Sequence, residues 1–358
     1  MNTRIVKIRN LEEDKIHINE AGVITRSGGL VAFPTETVYG LGGDALNKEA
    51  SRKIYQAKGR PSDNPLIVHV ASRESVDYLV ENKPKIAEEL MEKFWPGPLT
   101  IILNKSKNVP YETTGGLETV AIRMPNHKVA LEYIKVAGGY VAAPSANTSG
   151  RPSPTSAKHV IDDLNGKIDM IIDCHETTIG LESTIVDLTS RIPTILRPGA
   201  ITAEMLENVI GKIELDPTLN RNIDGVAPKA PGMRYKHYAP RADLFIIEGE
   251  ATKVQGKINK YIVEAVSNSK KVGVIATDES MAGYKEAYIK SVGTREDENS
   301  IAKNLYFILR DFDANDIDVI YSESFSTNGI GQAIMNRLLK AAGYQIENAE
   351  GLDDSNRM

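Results

Sequence analysis

Two cations flank a glycine in the segment AKGRPSDNPLIVHV, residues 57–70, and they are the first candidates for chemistry. Lys58 and Arg60 stand just before a run of strand-forming residues that contains His69. Lysine and arginine side chains bind phosphate oxygens through charge-assisted hydrogen bonds worth about 1.5–3 kcal/mol each. The same pair also fits two solvent-exposed charges in a turn, so the pair alone does not decide the matter.

Further polar side chains stand where other apolar runs begin or end. The set comprises Thr35, Glu36, Thr37, His69, Arg123, Ser145, Asn147, Ser153, Ser183 and Arg197. Arg123 is difficult to interpret as a surface residue, because a guanidinium inside an apolar strand is costly unless it is paired. His69 also fits a hydrogen-bonded core position, and Ser145, Asn147 and Ser153 also fit turn-forming roles. Taken together, the set indicates a site for a polyphosphate anion.

Several common catalytic motifs are missing from the sequence. There is no G-x-x-x-x-G-K-[ST] phosphate loop, no G-x-G-x-x-G after a strand and no H-E-x-x-H. Cys174 and His175 form a lone neighbouring pair, which we interpret as structural rather than as a zinc site. No Ser-His-Asp or Cys-His nucleophile pattern is legible. The residues therefore favour positioning and charge stabilisation, as in phosphoryl and nucleotidyl transfer.

Composition limits the class of protein. The 358 residues predict about two domains, and 41% hydrophobic with 25% charged residues is typical of a globular protein. A formal net charge of −5 gives no sequence-independent attraction for a polyanion. One cysteine excludes a disulfide framework, and no segment resembles a signal peptide or a membrane span. We therefore expect a cytoplasmic protein.

The elements that must position these residues follow from periodicity. Strands are predicted at 28–34, 65–70, 99–104, 119–125, 140–145, 169–173 and 183–188, and helices at 48–58, 84–94 and 127–138. This pattern predicts an α/β domain. In α/β sheets the crevice beyond the strand ends is the usual ligand site, so we expect the polar loops to converge on one crevice.

The second half of the chain has a different pattern. Residues 211–241 are rich in Pro, Gly and basic residues and predict a linker, whose APGMRYKHYAP segment is too aromatic for a plain spacer. Residues 242–345 alternate strands and helices, which predicts a smaller parallel α/β domain. The N-terminal domain then covers 1–210. Residues 346–358 are predicted to be a frayed tail, because they have almost nothing to bury.

Eight ordered blocks carry a family resemblance. They are FPTETVYGLGGDA, KGRPSDNPLIVHV, FWPGPLT, VAIRMPNH, APSANTSGRPSPT, GLESTIVD, LRPGAIT and APGMRYKHYAP. The chain resembles the YrdC-like threonylcarbamoyl-adenylate synthases in their longer form, closely over residues 25–240 and more loosely beyond. The resemblance implies an N-terminal YrdC-like twisted mixed sheet with a ligand crevice and a C-terminal Rossmann-like domain.

The resemblance also implies an activity. The family makes L-threonylcarbamoyladenylate from L-threonine, bicarbonate and ATP, and releases pyrophosphate. The product passes to a separate transferase complex that modifies the adenosine beside the anticodon of ANN-decoding tRNAs. Mg²⁺ is expected as a cofactor with ATP, held chiefly by phosphates and water, and no carboxylate is assigned as its ligand.

Site roles are implied position by position. The family's K-x-R and S-x-N signature, expected at the phosphates and the reacting carbamate, is Lys58, Arg60, Ser145 and Asn147. Positions expected at ATP are Lys58, Ser62, Thr119, Ser145, Ser153 and Arg197, with Tyr235 or Tyr238 in a lid over the nucleotide. Positions expected at threonine are Thr35, His69, Arg123, Ala143 and Ser183. One departure is the segment DCHETTIG, where the family usually has glycines after the aspartate.

Two other functions fit parts of the pattern. One is a binding module for double-stranded RNA or tRNA, which predicts a broad basic face that the net charge of −5 disfavours. The other is a carbamoyltransferase related to hydrogenase maturation, which requires cysteine-rich zinc motifs that a chain with one cysteine lacks. We therefore expect neither stable nucleic-acid binding nor membrane association.

Overall fold

The computed structural model describes residues 2–174, 176–220, 230–231 and 237–350. The chain divides into two compact units. The first consists of Met1–Ser149 with Ser153–Tyr235, and the second of Gly150–Pro152 with Lys236–Met358. No helix within the described residues is both long enough and apolar enough to cross a membrane.

The first unit is built on an eleven-stranded sheet. Its strands are β1 (Arg4–Lys7), β2 (Val31–Phe33), β3 (Gly40–Asp44), β4 (Ile67–Val70), β5 (Leu99–Asn104), β6 (Thr119–Arg123), β7 (Tyr140–Ala142), β8 (Met170–Asp173), β9 (Thr184–Asp187), β10 (Thr194–Arg197) and β11 (Glu214–Leu215). Their spatial order is β1-β8-β2-β3-β7-β4-β6-β5-β9-β10-β11. Strand β4 is parallel to β6 but antiparallel to β7, so the predicted mixed sheet is confirmed. Strand β11 lies within the predicted linker.

Helices cover this sheet. They are α1 (Lys15–Arg26), α2 (Lys48–Lys58), α3 (Val76–Leu79), α4 (Lys85–Phe94), α5 (Tyr111–Thr114), α6 (Lys128–Val136), α7 (Ala157–Leu164) and α8 (Ala203–Ile210). Helix α2 begins after Asn47, whose side chain caps the backbone N–H groups of Glu49 and Ala50. It ends at Gly59, which adopts the left-handed conformation with φ of 62° that glycine tolerates best. This turn fixes the positions of Lys58, the last residue of α2, and of Arg60, which follows Gly59.

Alternation along β6 separates the core from the site. Val120 and Ile122 belong to the main hydrophobic core. Ala121 and Arg123 point to the opposite face, since successive side chains of a strand alternate. That face carries a smaller apolar cluster, which includes Ala121 and the fully buried Ala230.

The second unit contains a five-stranded parallel sheet. Its strands are β12 (Asp243–Glu248), β13 (Val272–Ala276), β14 (Tyr288–Ser291), β15 (Val319–Glu323) and β16 (Ile346–Asn348), and its helices are α9 (Ala251–Ser267), α10 (Glu298–Ala314) and α11 (Gly331–Ala341). The order is β14-β13-β15-β12-β16, with every pair parallel, as predicted.

The prediction of a frayed tail was wrong for Ile346–Asn348. These residues form edge strand β16, in register with β12 through the pairing of Ile246 with Ile346. An edge strand gains its hydrogen bonds from the backbone and leaves its side chains exposed, so hydrophobic pattern alone did not reveal it. Residues 351–358 lie outside the described part of the chain.

Candidate active site

A row of side chains crosses six neighbouring strands of the first unit. Its members, paired in register, are Val141 (β7), His69 (β4), Arg123 (β6), Thr100 (β5), Ile185 (β9) and Arg197 (β10). Residues opposite each other in a ladder share a face of the sheet. Ala143 and Ser183 stand immediately outside β7 and β9. Predicted site residues from distant parts of the chain therefore meet on one face.

Arg123 lies at the centre of the row and is 4% exposed. Its Nη1 donates to Thr37 Oγ1 at 2.9 Å and its Nε to the Gly97 carbonyl at 3.4 Å. Its Nη2 lies 2.7 Å from Glu36 Oε1. The guanidinium is therefore paired, as its position inside an apolar strand requires.

Thr35 lies on the same loop as these partners of Arg123. It is buried, and its hydroxyl donates to the Val38 carbonyl at 2.6 Å and lies 2.9 Å from Thr37 Oγ1. Hydrogen bonds within the loop thus fix both threonine hydroxyls. The loop holds its polar side chains in place before any ligand binds.

His69 is a buried, neutral imidazole. Its Nδ1 lies 3.1 Å from the Ile67 carbonyl, and its ring meets Phe33 edge-on at 5.9 Å. Because a carbonyl oxygen only accepts, Nδ1 carries the proton. Burial, and secondly the positive charge of Arg123, lower the pKa of His69 to about 3. The core interpretation of His69 and the site interpretation are therefore compatible.

Ser183 joins Arg197 to the centre of the row. Its hydroxyl lies 2.7 Å from Thr100 Oγ1. Arg197 donates from Nε to the Ser183 carbonyl at 3.0 Å and from Nη2 to the Ser183 hydroxyl at 3.1 Å. A third contact, from Nη1, reaches the Pro231 carbonyl at 3.4 Å. Residues predicted for threonine and for ATP are thus in direct contact here.

Lys58 brings the K-x-R and S-x-N segments together. It is 2% exposed at the end of α2. Its ammonium donates to the Ser145 carbonyl, to the Asn147 carbonyl at 2.5 Å and to Asn147 Oδ1 at 3.4 Å. The Ser145 hydroxyl in turn donates to Asn147 Oδ1 at 2.5 Å. Lys58 therefore forms one cluster with Ser145 and Asn147, which lie 87 and 89 residues further along the chain.

Arg60 is held by its own turn. It is 9% exposed, and its Nη2 donates to Asn64 Oδ1 at 2.5 Å and to the Pro65 carbonyl at 3.1 Å. Its Nε donates to the Asn64 carbonyl at 3.2 Å. The alternative that Lys58 and Arg60 are solvent-exposed turn charges is therefore wrong for both residues.

Backbone contacts connect the two groups of residues. The Tyr39 N–H donates to the Pro154 carbonyl, and the Ala146 N–H donates to the Tyr39 carbonyl, both at 2.8 Å. Gly40 and Ser145 form an isolated β-bridge. The loop that holds Arg123 therefore lies against the loop that Lys58 binds, as the predicted crevice requires.

The remaining predicted residues differ in exposure. Ser62 is exposed in the turn after Arg60, and Thr119 is half-buried at the start of β6. Ala143 is buried, and its N–H donates to the Ile67 carbonyl at 2.8 Å. Ser153 is buried and donates to Glu182 Oε1. Their assignment to ATP or to threonine remains a prediction.

The two candidate lid tyrosines have separate outcomes. Tyr235 and the Cys174 neighbour His175 lie outside the described residues. Tyr238 belongs to the second unit, where it is buried and its ring stacks on Tyr306 at a centroid distance of 5.3 Å. Its role at ATP remains a prediction.

Several residues of the site were not predicted. For Glu36 and Thr37 the sequence predicts only polar residues after a strand, and for Asn64, Thr100 and Glu182 it predicts no role. Glu36, Thr37 and Glu182 lie beside predicted residues in the sequence, whereas Asn64 and Thr100 do not. None of the five belongs to a motif of its own, because each acts as a hydrogen-bond or ion partner. Within the described residues no group of three or more His, Cys, Asp or Glu side chains could hold a metal ion.

Comparison with known proteins identifies two consecutive family regions. Residues 23–199 match the model of the Sua5, YciO and YrdC proteins, described as "Telomere recombination". Residues 201–343 match a model described as "Threonylcarbamoyl-AMP synthase, C-terminal domain". Together these regions cover most of the chain.

Individual relatives match over nearly the full length. The threonylcarbamoyl-AMP synthase of Pyrococcus abyssi is 49% identical over 96% of this chain and 99% of its own. The Bacillus subtilis protein of the same name is 49% identical over 92% and 94%. The solved structure of P. abyssi Sua5 with L-threonine is similar at a TM-score of 0.90 and 47% identity, covering 97% of this chain and 99% of that one. The chain therefore belongs to the Sua5/YciO/YrdC family, in the form that carries the threonylcarbamoyl-AMP synthase C-terminal domain.

Proposed function

We propose that this protein is an L-threonylcarbamoyl-AMP synthase, a nucleotidyltransferase that converts L-threonine, bicarbonate or CO₂, and ATP into L-threonylcarbamoyl-AMP and pyrophosphate. The observation that carries the proposal is the contact of Lys58 with the Ser145 and Asn147 carbonyls, which assembles the K-x-R and S-x-N cluster. The synthases of P. abyssi and B. subtilis, similar over almost the whole chain, support it.

The chemistry suits a site without a protein nucleophile. The ammonium group of threonine loses a proton to solvent, and the free amine attacks the carbon of CO₂. A second proton passes from the nitrogen to solvent, and the resulting carbamate oxygen attacks the α-phosphorus of ATP. The bond to the bridging oxygen breaks, and pyrophosphate leaves with that electron pair. The protein must hold two anionic reactants together and stabilise charge on the phosphates.

The row around Arg123 suits the amino acid. Arg123 offers a guanidinium to the threonine carboxylate, a pairing in which arginine forms two parallel hydrogen bonds. His69 is neutral and adds no second positive charge. The hydroxyls of Thr35 and Ser183 suit the polar groups of the substrate.

The Lys58 cluster suits the nucleotide. Lys58 and Arg60 donate to backbone carbonyl and side-chain amide oxygens, and an ammonium and a guanidinium are the side-chain groups that bind phosphate oxygens most strongly. Arg197, next to Ser183, supplies a further guanidinium on the face of the sheet that carries the row. Mg²⁺ enters with ATP, coordinated by phosphate oxygens and water, and lowers the charge that the cations must face.

The proposal includes a place in the cell. The product is handed to a tRNA threonylcarbamoyl-transferase complex for modification of ANN-decoding tRNA. The protein works in the cytoplasm, as a single cysteine suits a reducing compartment.

The direct test supplies the purified protein with ATP, L-threonine, bicarbonate and Mg²⁺. We expect pyrophosphate and threonylcarbamoyl-AMP in equal amounts, with neither formed when threonine or bicarbonate is omitted. Pyrophosphate release that is independent of threonine would overturn the proposal. Tight, salt-sensitive binding of tRNA without this turnover would favour the RNA-binding alternative.

A matched pair of lysines on one helix makes the test specific. Lys58→Ala removes the cluster at the end of α2, and we expect turnover to fall at least about a hundredfold. Lys48→Ala changes an exposed lysine at the other end of the same helix, and we expect unchanged turnover. Equal activity of the two variants would contradict the role of Lys58.

A further inference from the structure

Glu36 lies inside the candidate threonine site but has no role in the reaction proposed above. It is 6% exposed, and it stands between Thr35 and Thr37, whose hydroxyls are hydrogen-bonded. Its backbone is fixed, since its carbonyl accepts from the N–H groups of Ile179 at 2.9 Å and Thr178 at 3.2 Å. The carboxylate is therefore presented by a rigid loop.

The carboxylate of Glu36 is short of hydrogen bonds. In the described part of the chain, both of its oxygens are buried and neither has a hydrogen-bond partner. Arg123 Nη2 lies 2.7 Å from Oε1, but its N–H groups are not directed at that oxygen. A buried carboxylate is costly unless it is paired and hydrogen-bonded. This side chain can therefore accept from a ligand that brings N–H donors.

The charges around Glu36 specify the kind of ligand. Arg123 and Glu36 supply one positive and one negative charge in contact, and His69, opposite Arg123 on the neighbouring strand, is neutral. A zwitterion matches this pair, because its two charges have complementary partners. A simple carboxylate would compete with Glu36 for Arg123 and would bring nothing to Glu36.

We propose that Glu36 binds the ammonium group of the amino-acid substrate while Arg123 binds its carboxylate. This inference rests on the proposed function and adds a substrate-binding residue to it. The zwitterion replaces one poorly aligned contact between Glu36 and Arg123 by two aligned ones. Loss of a proton to solvent then removes the ammonium charge and frees the amine for carbamoylation, so Glu36 binds threonine and not its carbamate.

The test measures binding by calorimetry at pH 7.5, without ATP or bicarbonate. L-Threonine is compared with 3-hydroxybutyrate, which keeps the carboxylate and hydroxyl but lacks the amine. For the unaltered protein we expect threonine to bind about tenfold to a hundredfold more tightly than 3-hydroxybutyrate. For Glu36→Gln we expect threonine affinity to fall by about the same factor, so that the preference disappears.

Asp187 provides a matched control. It is another buried carboxylate of the first unit, at the far end of β9, and its Oδ1 accepts from Thr189. Asp187→Asn makes the same chemical change, and we expect it to keep the preference for threonine. If Glu36→Gln fails to fold, Glu36→Asp keeps the charge and is expected to keep the preference at reduced affinity.

The outcomes separate this inference from the function on which it rests. Glu36→Gln that binds threonine like the unaltered protein overturns the inference alone. Equal loss of threonine and 3-hydroxybutyrate also overturns it, because Glu36 would then act only by orienting Arg123. Unaltered protein that binds no threonine counts against the proposed function itself, before any variant is measured.

Discussion

The neutral state of buried His69 should make the first unit less stable in acid. Burial, together with the charge of Arg123, lowers its pKa from an ordinary 6.5 to about 3 in the folded chain. In the unfolded chain the imidazole returns to water and to its ordinary pKa. Between these values the unfolded state binds a proton that the folded state does not, so stability falls as the pH falls.

The size of the effect follows from the two pKa values. At pH 7.5 the unfolded histidine is mostly neutral, and His69 contributes almost no pH dependence. At pH 5, about 1.5 units below its ordinary pKa, the unfolded histidine is mostly protonated. At 1.36 kcal/mol per unit, this lowers the free energy of unfolding by roughly 2 kcal/mol. The loss continues down to about pH 3, where the folded state begins to bind the proton.

Urea unfolding can isolate this contribution. Trp95 is the only tryptophan, lies buried in the first unit and donates to the Leu99 carbonyl at 2.7 Å, so its fluorescence reports on that unit. His69→Gln removes the titrating group, and all other groups remain. We expect the free energy of unfolding of the unaltered protein, relative to the variant, to fall by about 2 kcal/mol between pH 7.5 and pH 5.

The difference between the two proteins, and not either stability alone, is the decisive quantity. Other carboxyl and histidine groups titrate in both proteins and cancel. A difference that stays constant between pH 7.5 and pH 5 would show that His69 has the same pKa folded and unfolded. That result would refute the burial argument and the neutral imidazole in the candidate threonine site.

Three further predictions concern single contacts. Arg197→Lys cannot keep the two-pronged contact of a guanidinium. We expect kcat/KM for ATP, measured by pyrophosphate release, to fall about tenfold. Unchanged kcat/KM would exclude a role at ATP. Asn64→Ala removes an oxygen that holds Arg60. We expect kcat/KM to fall about tenfold and Tm to stay within about 5 °C of that of the unaltered protein. A large drop in Tm alone would indicate a purely structural turn. Tyr284→Phe removes the hydroxyl that donates to buried Glu323 at 2.7 Å. We expect the free energy of unfolding of the second unit, measured in urea by circular dichroism, to fall by about 1–3 kcal/mol. No loss would show that solvent replaces the hydroxyl.

Local pattern predicted most elements because their hydrophobic period matches their structure. Helix α2 and strands β4, β5 and β6 fall where periodicity places them. The register between strands was beyond this reasoning. His69 faces Arg123, and Arg123 faces Thr100, only because β4, β6 and β5 are neighbours in an order unlike their sequence order. Strand order is decided by nonlocal packing, which no single segment encodes.

The contacts of Lys58 and Arg60 could not be predicted from the sequence for the same reason. The residue types of Lys58 and Arg60 suggested phosphate, but their burial could not be inferred from a glycine- and proline-rich turn. The acceptors of Lys58 lie 87 and 89 residues further along the chain. Those of Arg60 are close in sequence, yet the role of Asn64 depends on the geometry of the turn.

The contact between Arg123 and Glu36 bears on the selectivity of the site. Arg123 lies against the Glu36 carboxylate, so a substrate carboxylate must replace an existing charge contact. That exchange is favourable only if the carboxylate left behind gains a cation. In the proposed function, the Arg123 side of the site therefore selects ligands that carry both charges.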